Sequence, residues 1–232
     1  MNSSVLGYPD CLFFNIFLRV PAEELLKKCS FIFQDFAKFC IRKPFNKNLI
    51  KGSNPSWKTE KNHKESDYDE RWEFLRPDGF KYEEPPIFVD GYFHPDFDPF
   101  QITSCLATNE FWSSKDITID LLEEGFEPQI LDELQPIITI SEYVSHRADC
   151  EAIHRMIAFL LDENMKKVNF FETEEVFRQW QSQKWTKVEH KFHEYGPGVR
   201  YVYVRSDGRS LLGWPGPYGV KMANISIVVS YK

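Results

Sequence analysis

The chain has 232 residues, 42% of them apolar and 27% charged, a balance that excludes a wholly disordered, collagen-like or coiled-coil protein. A chain of this length buries about 70% of its extended surface on folding, enough for a core without metals or disulfides. The formal net charge of −7 argues against a protein built mainly to grip phosphate backbones, and 21 Phe, 10 Tyr and 6 Trp predict a wide, ring-filled interior.

At the start there is no basic leader, and the apolar run 11–18 is too short to cross a membrane, so neither a signal peptide nor membrane association is expected. The five cysteines are odd in number, unclustered and without a CxxC pair, which reads as reduced thiols in a cytoplasmic protein. Residues 11–20 are expected to form a strand. Pro21 then opens an amphipathic helix whose stripe, Leu25, Leu26, Cys29, Ile32, Phe33, Phe36 and Cys40, would lie on a sheet. Residues 43–84 change texture, with nine basic and nine acidic residues and little periodicity. They are expected to be a polar excursion, docked near 69–75 and most mobile near 58–67. Asp78-Gly79 looks like a turn between two short strands.

Further along, 86–93 predicts a strand, 94–100 a loop, 102–107 a weak strand, 116–122 a half-buried strand and 127–134 two turns of helix. Residues 137–144 alternate as a strand. Residues 148–163 place Cys150, Ile153, Ile157, Leu160 and Leu161 on one side of a helix, and 167–171 form a short strand. A further helix is expected over 173–181, with Glu174 and Glu175 at its positive end. Strands follow at 185–192 and 199–205, then a turn at Asp207-Gly208, a loop over 213–219 and a strand at 224–230. These assignments give an α+β fold, with a mixed or antiparallel sheet and helices packed on one face. It is one compact domain, 1–232, in which two β-α-β-like halves, 1–135 and 136–232, can be drawn.

Charge is unevenly spread. Residues 110–136 carry eight acidic side chains against Lys115 alone, and 183–232 carry eight basic against three acidic. Glu123, Glu124, Glu127, Asp132 and Glu133 are therefore candidates for steering a basic protein partner, beside the plainer reading of a solvated acidic face. The loop Gly213-Trp-Pro-Gly-Pro-Tyr-Gly219 is stiff and aromatic; its prolines remove the N–H groups a phosphate cradle needs. Trp214 and Tyr218 are candidate protein-binding anchors, with Trp214 expected to fold back over the core and Tyr218 to stand exposed. His146, Cys150 and His154 recur at intervals of four, a spacing that could supply zinc ligands or a Cys–His pair but equally suits packing. His94, Asp96 and Asp98 lack the glycine and distal glutamate of a calcium loop and suit a turn. Arg200, Tyr201, Tyr203, Arg205 and Arg209 interleave rings with charge as stacking platforms do, though the net charge argues against a nucleic-acid partner. No catalytic residue, metal set or cofactor motif emerges.

The segment IITISEYVSH, the junction carrying Cys150, EAIHRMIAFLLDEN, KKVNFFE and the VFRQW helix followed by Lys184-Trp185 resembles small bacterial candidate immunity proteins of polymorphic toxin systems. The resemblance covers about residues 137–185. It implies an α+β cytoplasmic protein, without catalytic residues, that neutralises a toxin by binding it. The reading that follows is a non-catalytic protein-binding protein with a protein partner, in concrete form a basic toxin. The alternatives are a small-substrate hydrolase or transferase and a nucleic-acid-binding protein.

Overall fold

The computed structural model describes residues 45–51, 69–89, 100, 102–181 and 183–230. Their strands are β1 (Glu73–Leu75), β2 (Phe80–Glu83), β3 (Cys105–Thr108), β4 (Ser113–Asp120), β5 (Ile137–Ser145), β6 (Ala152–Leu161), β7 (Lys167–Phe177), β8 (Thr186–Phe192), β9 (Tyr201–Ser210) and β10 (Lys221–Ser230). They form two five-stranded antiparallel sheets, β1-β4-β9-β6-β7 and β2-β3-β10-β5-β8. Among the described residues the expected α+β fold, with helices packed on one face of a sheet, is thereby corrected to a sandwich of two antiparallel sheets. Both sheets draw strands from either side of residue 135, so the β-α-β-like halves do not exist as separate layers.

Alternation builds the interior. Ile117, Ile119, Met156, Ala158, Leu160, Val202 and Val204 from the first sheet meet Ile138, Ile140, Val144, Ile227 and Val229 from the second in one buried cluster. A smaller cluster of Val89, Ile102, Cys105, Trp185 and Ala223, with Tyr143 against it, covers part of the second sheet's outer face. Segment 45–51 lies along β10, where Asn46 N–H and Leu49 N–H donate to the carbonyls of Val229 and Ile227 at 2.9 and 2.8 Å.

The expected helix over 148–163 is β6. Ala152, His154, Met156, Ala158 and Leu160 all point inward and are buried, a period of two. Ile153, Ile157 and Phe159 on the outer face are also apolar, so only His154 and Arg155 interrupt the run, too few polar positions to separate a two-residue period from a 3.6-residue one. The expected helix over 173–181 is the second half of β7, an edge strand whose two faces are both partly wet and which therefore shows no alternation. The helix expected over 127–134 is present as a short helical stretch over 128–134, whose π turn, Ile130–Leu134, is ended by Gln135 at φ 45°. Asp207-Gly208 is not a turn: β9 runs on to Ser210, and a Cβ at Gly208 would stand 2.7 Å from Met222 Cε of the facing sheet. A 3-10 turn, Pro77–Gly79, joins β1 to β2, but these strands belong to different sheets, so it is a corner rather than a hairpin. The strand at 11–20, the helix after it, the 58–67 stretch and most of 86–100 lie outside the described residues; 87–89 are turn and bend.

Candidate functional site

Register brings five connections to one end of the sandwich: 76–79, 109–112, 146–151, 178–185 and 211–220. Leu75 pairs with Ser114, Phe80 with Thr108, Ala152 with both Phe177 and Ser210, and Lys221 with both Ala107 and Ser145, which sets these chain ends level. The loops are lashed together by backbone bonds. Asn109 N–H donates to Gly79 O (3.0 Å), Ser210 N–H to Asn109 O (2.7 Å), Leu211 N–H to Glu151 O (2.9 Å) and Trp180 N–H to Ala148 O (2.5 Å). Gly219 N–H donates to Thr108 O at 2.8 Å, and a Cβ there would sit 2.8 Å from that carbonyl and from Ser210 N, so only glycine permits the approach.

Aromatic and guanidinium groups crowd this end. Phe111 is 52% exposed, Trp180 76% and Trp214 51%. The Arg147 guanidinium lies 4.7 Å from the Phe88 ring centroid and 4.9 Å from that of Tyr218, aimed by two bonds to Asp149 of 3.0 and 2.8 Å. Arg76 covers Phe111 at 4.7 Å, and Trp112 is flanked by Arg155 and Arg209 at 5.1 Å each. Trp214 meets Tyr218 edge-on at 6.3 Å. The expectation for the two rings is reversed: Trp214 stands out and Tyr218 is half-buried over Arg147. Chemically, this end offers rigid rings and aimed N–H donors, the residue types that dominate protein-recognition surfaces.

The His146, Cys150 and His154 set does not converge. His146 Nδ1 lies 2.9 Å from the Cys150 carbonyl oxygen and its ring stacks on Phe177 at 5.0 Å. The Cys150 thiol lies against Asp149 (3.5 Å), and burial, reinforced by that carboxylate, pushes it up to about 11, so it stays protonated and a weak nucleophile at neutral pH. His154 instead faces the sandwich interior. Its Nε2 is 3.2 Å from Glu142 Oε2 and 3.0 Å from Ser206 Oγ. Ser206 donates to Glu142 at 2.5 Å, and Lys115 Nζ reaches the other carboxylate oxygen at 2.7 Å. Burial alone would raise Glu142; the Lys115 ammonium and His154 outweigh it and hold the carboxyl down at about 2. This group is closed to solvent and ties β4, β6 and β9 of one sheet to β5 of the other. No group of three His, Cys, Asp or Glu fit to hold a metal occurs among the described residues.

The acidic candidates sit at the opposite end, between β4 and β5. Glu124 is taken by Arg71 at 2.6 Å, and Asp132 by Arg200 at 2.8 and 2.9 Å and by Gly198 N–H at 2.7 Å. Glu127 is half-buried, leaving Glu123 and Glu133 as the exposed members. Arg205 is held by Asp207 at 2.7 Å, so two arginines of the supposed stacking platform are already paired within the protein. Lys115, Glu142, Ser206 and the second buried pair, Lys221 with Glu83, were not singled out from sequence. A signal existed in parity: Lys115 falls in step with Ile117 and Ile119, and Glu142 with Ile138 and Ile140.

Comparison with known proteins places these features in a family. The model of the F-box associated region matches residues 40–229, a span that contains β1 to β9 and all but the last residue of β10. F-box only protein 6 of Bos taurus is 26% identical over 268 residues, covering 99% of this chain and 94% of that protein. The Homo sapiens F-box only protein 6 is 26% identical over 261 residues, covering 99% and 85%. F-box only protein 2 of Bos taurus is 30% identical over 154 residues, covering 66% and 51%. These matches overturn the resemblance to bacterial toxin-immunity proteins, whose supposed helix over 148–163 is a strand here. With that match running from before β1 into the end of β10, the chain belongs to the F-box associated family.

Proposed function

We propose that the sandwich is a non-catalytic protein-interaction domain serving an F-box-type adaptor, and that its protein partner docks on the loop end. The observation that carries this reading is the set of exposed rings, Phe111, Trp180 and Trp214, on loops fastened to one another by backbone hydrogen bonds. Rings held this way lose little entropy on contact, which is what makes them effective anchors. Trp214 is the central anchor, and Tyr218 with Arg147 forms its support. At the other end Glu123 and Glu133 supply long-range attraction for a basic partner without being part of the contact. Buried free Cys105 and Cys150 fit work in a reducing compartment such as the cytoplasm. Among the described residues no helix is long and apolar enough to cross a membrane.

A photo-crosslinking amino acid placed at Pro215 and, separately, at Glu123 tests the reading in cell extract. The expected result is capture of a discrete protein from position 215 that disappears when Trp214→Ala is added, and none from 123. Capture from 123 alone moves the interface to the acidic end and overturns the proposal.

A further inference from the structure

Three acidic side chains away from the 110–136 concentration are also uncommitted. Glu172, Glu174 and Glu175 lie on β7, are exposed, and make no ion pair among the described residues. Arg155, opposite Glu174 on β6, is committed to Asp207 at 2.6 Å. On the outer face Glu172 and Glu174 are bracketed by Phe170, 65% exposed, and Val176, 39% exposed, so positions 170, 172, 174 and 176 read apolar, acidic, acidic, apolar, while Glu175 has the other parity.

β7 is also an unpaired edge. It has 11 residues and pairs only with β6 among the described strands. Phe170 N–H donates to the side chain of its neighbour, Asn169 Oδ1, at 2.8 Å, which marks the side on which a further strand would bind. The peptide groups of Glu172, Glu174 and Val176 follow at intervals of two and face the same way. The opposite edge of the strand is paired to β6, and its inner face is covered where Phe171 stacks on His190 of β8 at 4.1 Å. The remaining edges differ. β1 and β2 have three and four residues, and β8 neutralises itself, with Glu189 paired to both Lys187 and Lys191.

We propose that the free edge of β7 is a second docking site, independent of the loop end, that takes an extended segment of a partner protein as an added antiparallel strand with basic residues opposite Glu172 and Glu174 and apolar residues opposite Phe170 and Val176. Main-chain bonds supply affinity and the charge pattern supplies selection. A second copy of this chain is the wrong occupant: antiparallel pairing about Thr173 sets Glu172 of each copy opposite Glu174 of the other, and like charges directly opposite destabilise a sheet.

The test uses the full chain and the fluorescent peptide Thr-Ile-Thr-Lys-Thr-Arg-Thr-Val-Thr, capped at both ends, read by anisotropy. Saturable binding is expected, weakened at least tenfold by glutamates in place of the peptide's Lys and Arg, or by Glu172→Lys with Glu174→Lys in the protein. N-methylation at alternate peptide residues should abolish binding in one parity and spare it in the other. Glu172→Pro, which removes a donor turned off the sheet, should block binding while leaving the melting temperature near the parental value; should that variant unfold, the two N-methyl peptides still decide. Trp214→Ala should bind the peptide normally, which separates this site from the loop end. The proposal is overturned by absence of saturable binding, by equal binding of both N-methylated peptides, by indifference to charge reversal, or by a β7-dependent dimer in sedimentation without peptide.

Discussion

At the scale of single residues, the most consequential side chains are charged ones in places reserved for apolar ones. Lys115 and Glu142 are both buried, 2.7 Å apart, with Ser206 and His154 completing the carboxylate's partners. Deleting one member strands the other, which typically costs about 3–5 kcal/mol, whereas replacing both by apolar residues is far milder. Urea unfolding of Glu142→Gln should therefore show a large loss at neutral pH, and Lys115→Met combined with Glu142→Leu a much smaller one. An equal loss in both would mean that packing volume, not charge, is what matters there. The pH dependence has a definite sign. Because Glu142 is held at about 2, below the ordinary carboxylate value of about 4.3, its stabilisation is complete above the latter and declines as pH falls toward the former. The acid arm of the stability curve between those values should be shallower in Glu142→Gln than in the parent.

The loops and strands carry their own consequences. Trp214 is exposed while Tyr218 is half-buried over Arg147, so Trp214→Ala should unfold at nearly the parental midpoint and Tyr218→Ala should unfold earlier. A strongly destabilised Trp214→Ala would return that ring to the role of a lid. Gly219→Ala must push against two backbone atoms rather than a flexible side-chain tip, so it should destabilise more than Gly208→Ala, whose closest obstacle is the end of Met222. Arg71 is a splice between segments: its guanidinium reaches Asp69 and Glu124 at 2.6 Å each and the Leu49 carbonyl at 2.7 Å. Arg71→Lys keeps the charge and loses the fork. Because the group is partly exposed, the expected cost is about 1 kcal/mol, read as a lower denaturation midpoint with faster hydrogen exchange in 45–51.

For the whole molecule, the two ends of the sandwich present different chemistry. Arginine-backed rings occupy one, and the 121–136 connection occupies the other. Reversing Glu123 and Glu133 to lysine should slow association with a basic partner and flatten its salt dependence without lowering the melting temperature. Glu124→Lys should instead lower the melting temperature by setting a cation against Arg71. If both variants alter association alike, net charge rather than position governs the encounter.

Strand positions were largely legible where one face is wet and the other dry. Residues 137–144 and 199–205 alternate β-branched or aromatic residues with polar ones, and both are strands in the structure, as β5 and the first part of β9. The stiff aromatic loop and the uneven charge were equally plain in the residue order. The helices assigned to β6 and β7 failed for opposite reasons. β6 is apolar on both faces because its outer side carries Ile153, Ile157 and Phe159, and β7 mixes polar and apolar residues on both because it is an edge. In neither case does local periodicity record which neighbour a strand will have. Assembly also decided the site. His146, Cys150 and His154 look alike in spacing but are divided between a loop and the sandwich interior, whereas Phe111, Trp180 and Trp214, more than a hundred residues apart at the extremes, share one end of the sandwich because antiparallel register returns five connections there. Long-range pairing carries no signature in any short window, since it depends on which hydrogen-bonding edges remain open when the sheets close.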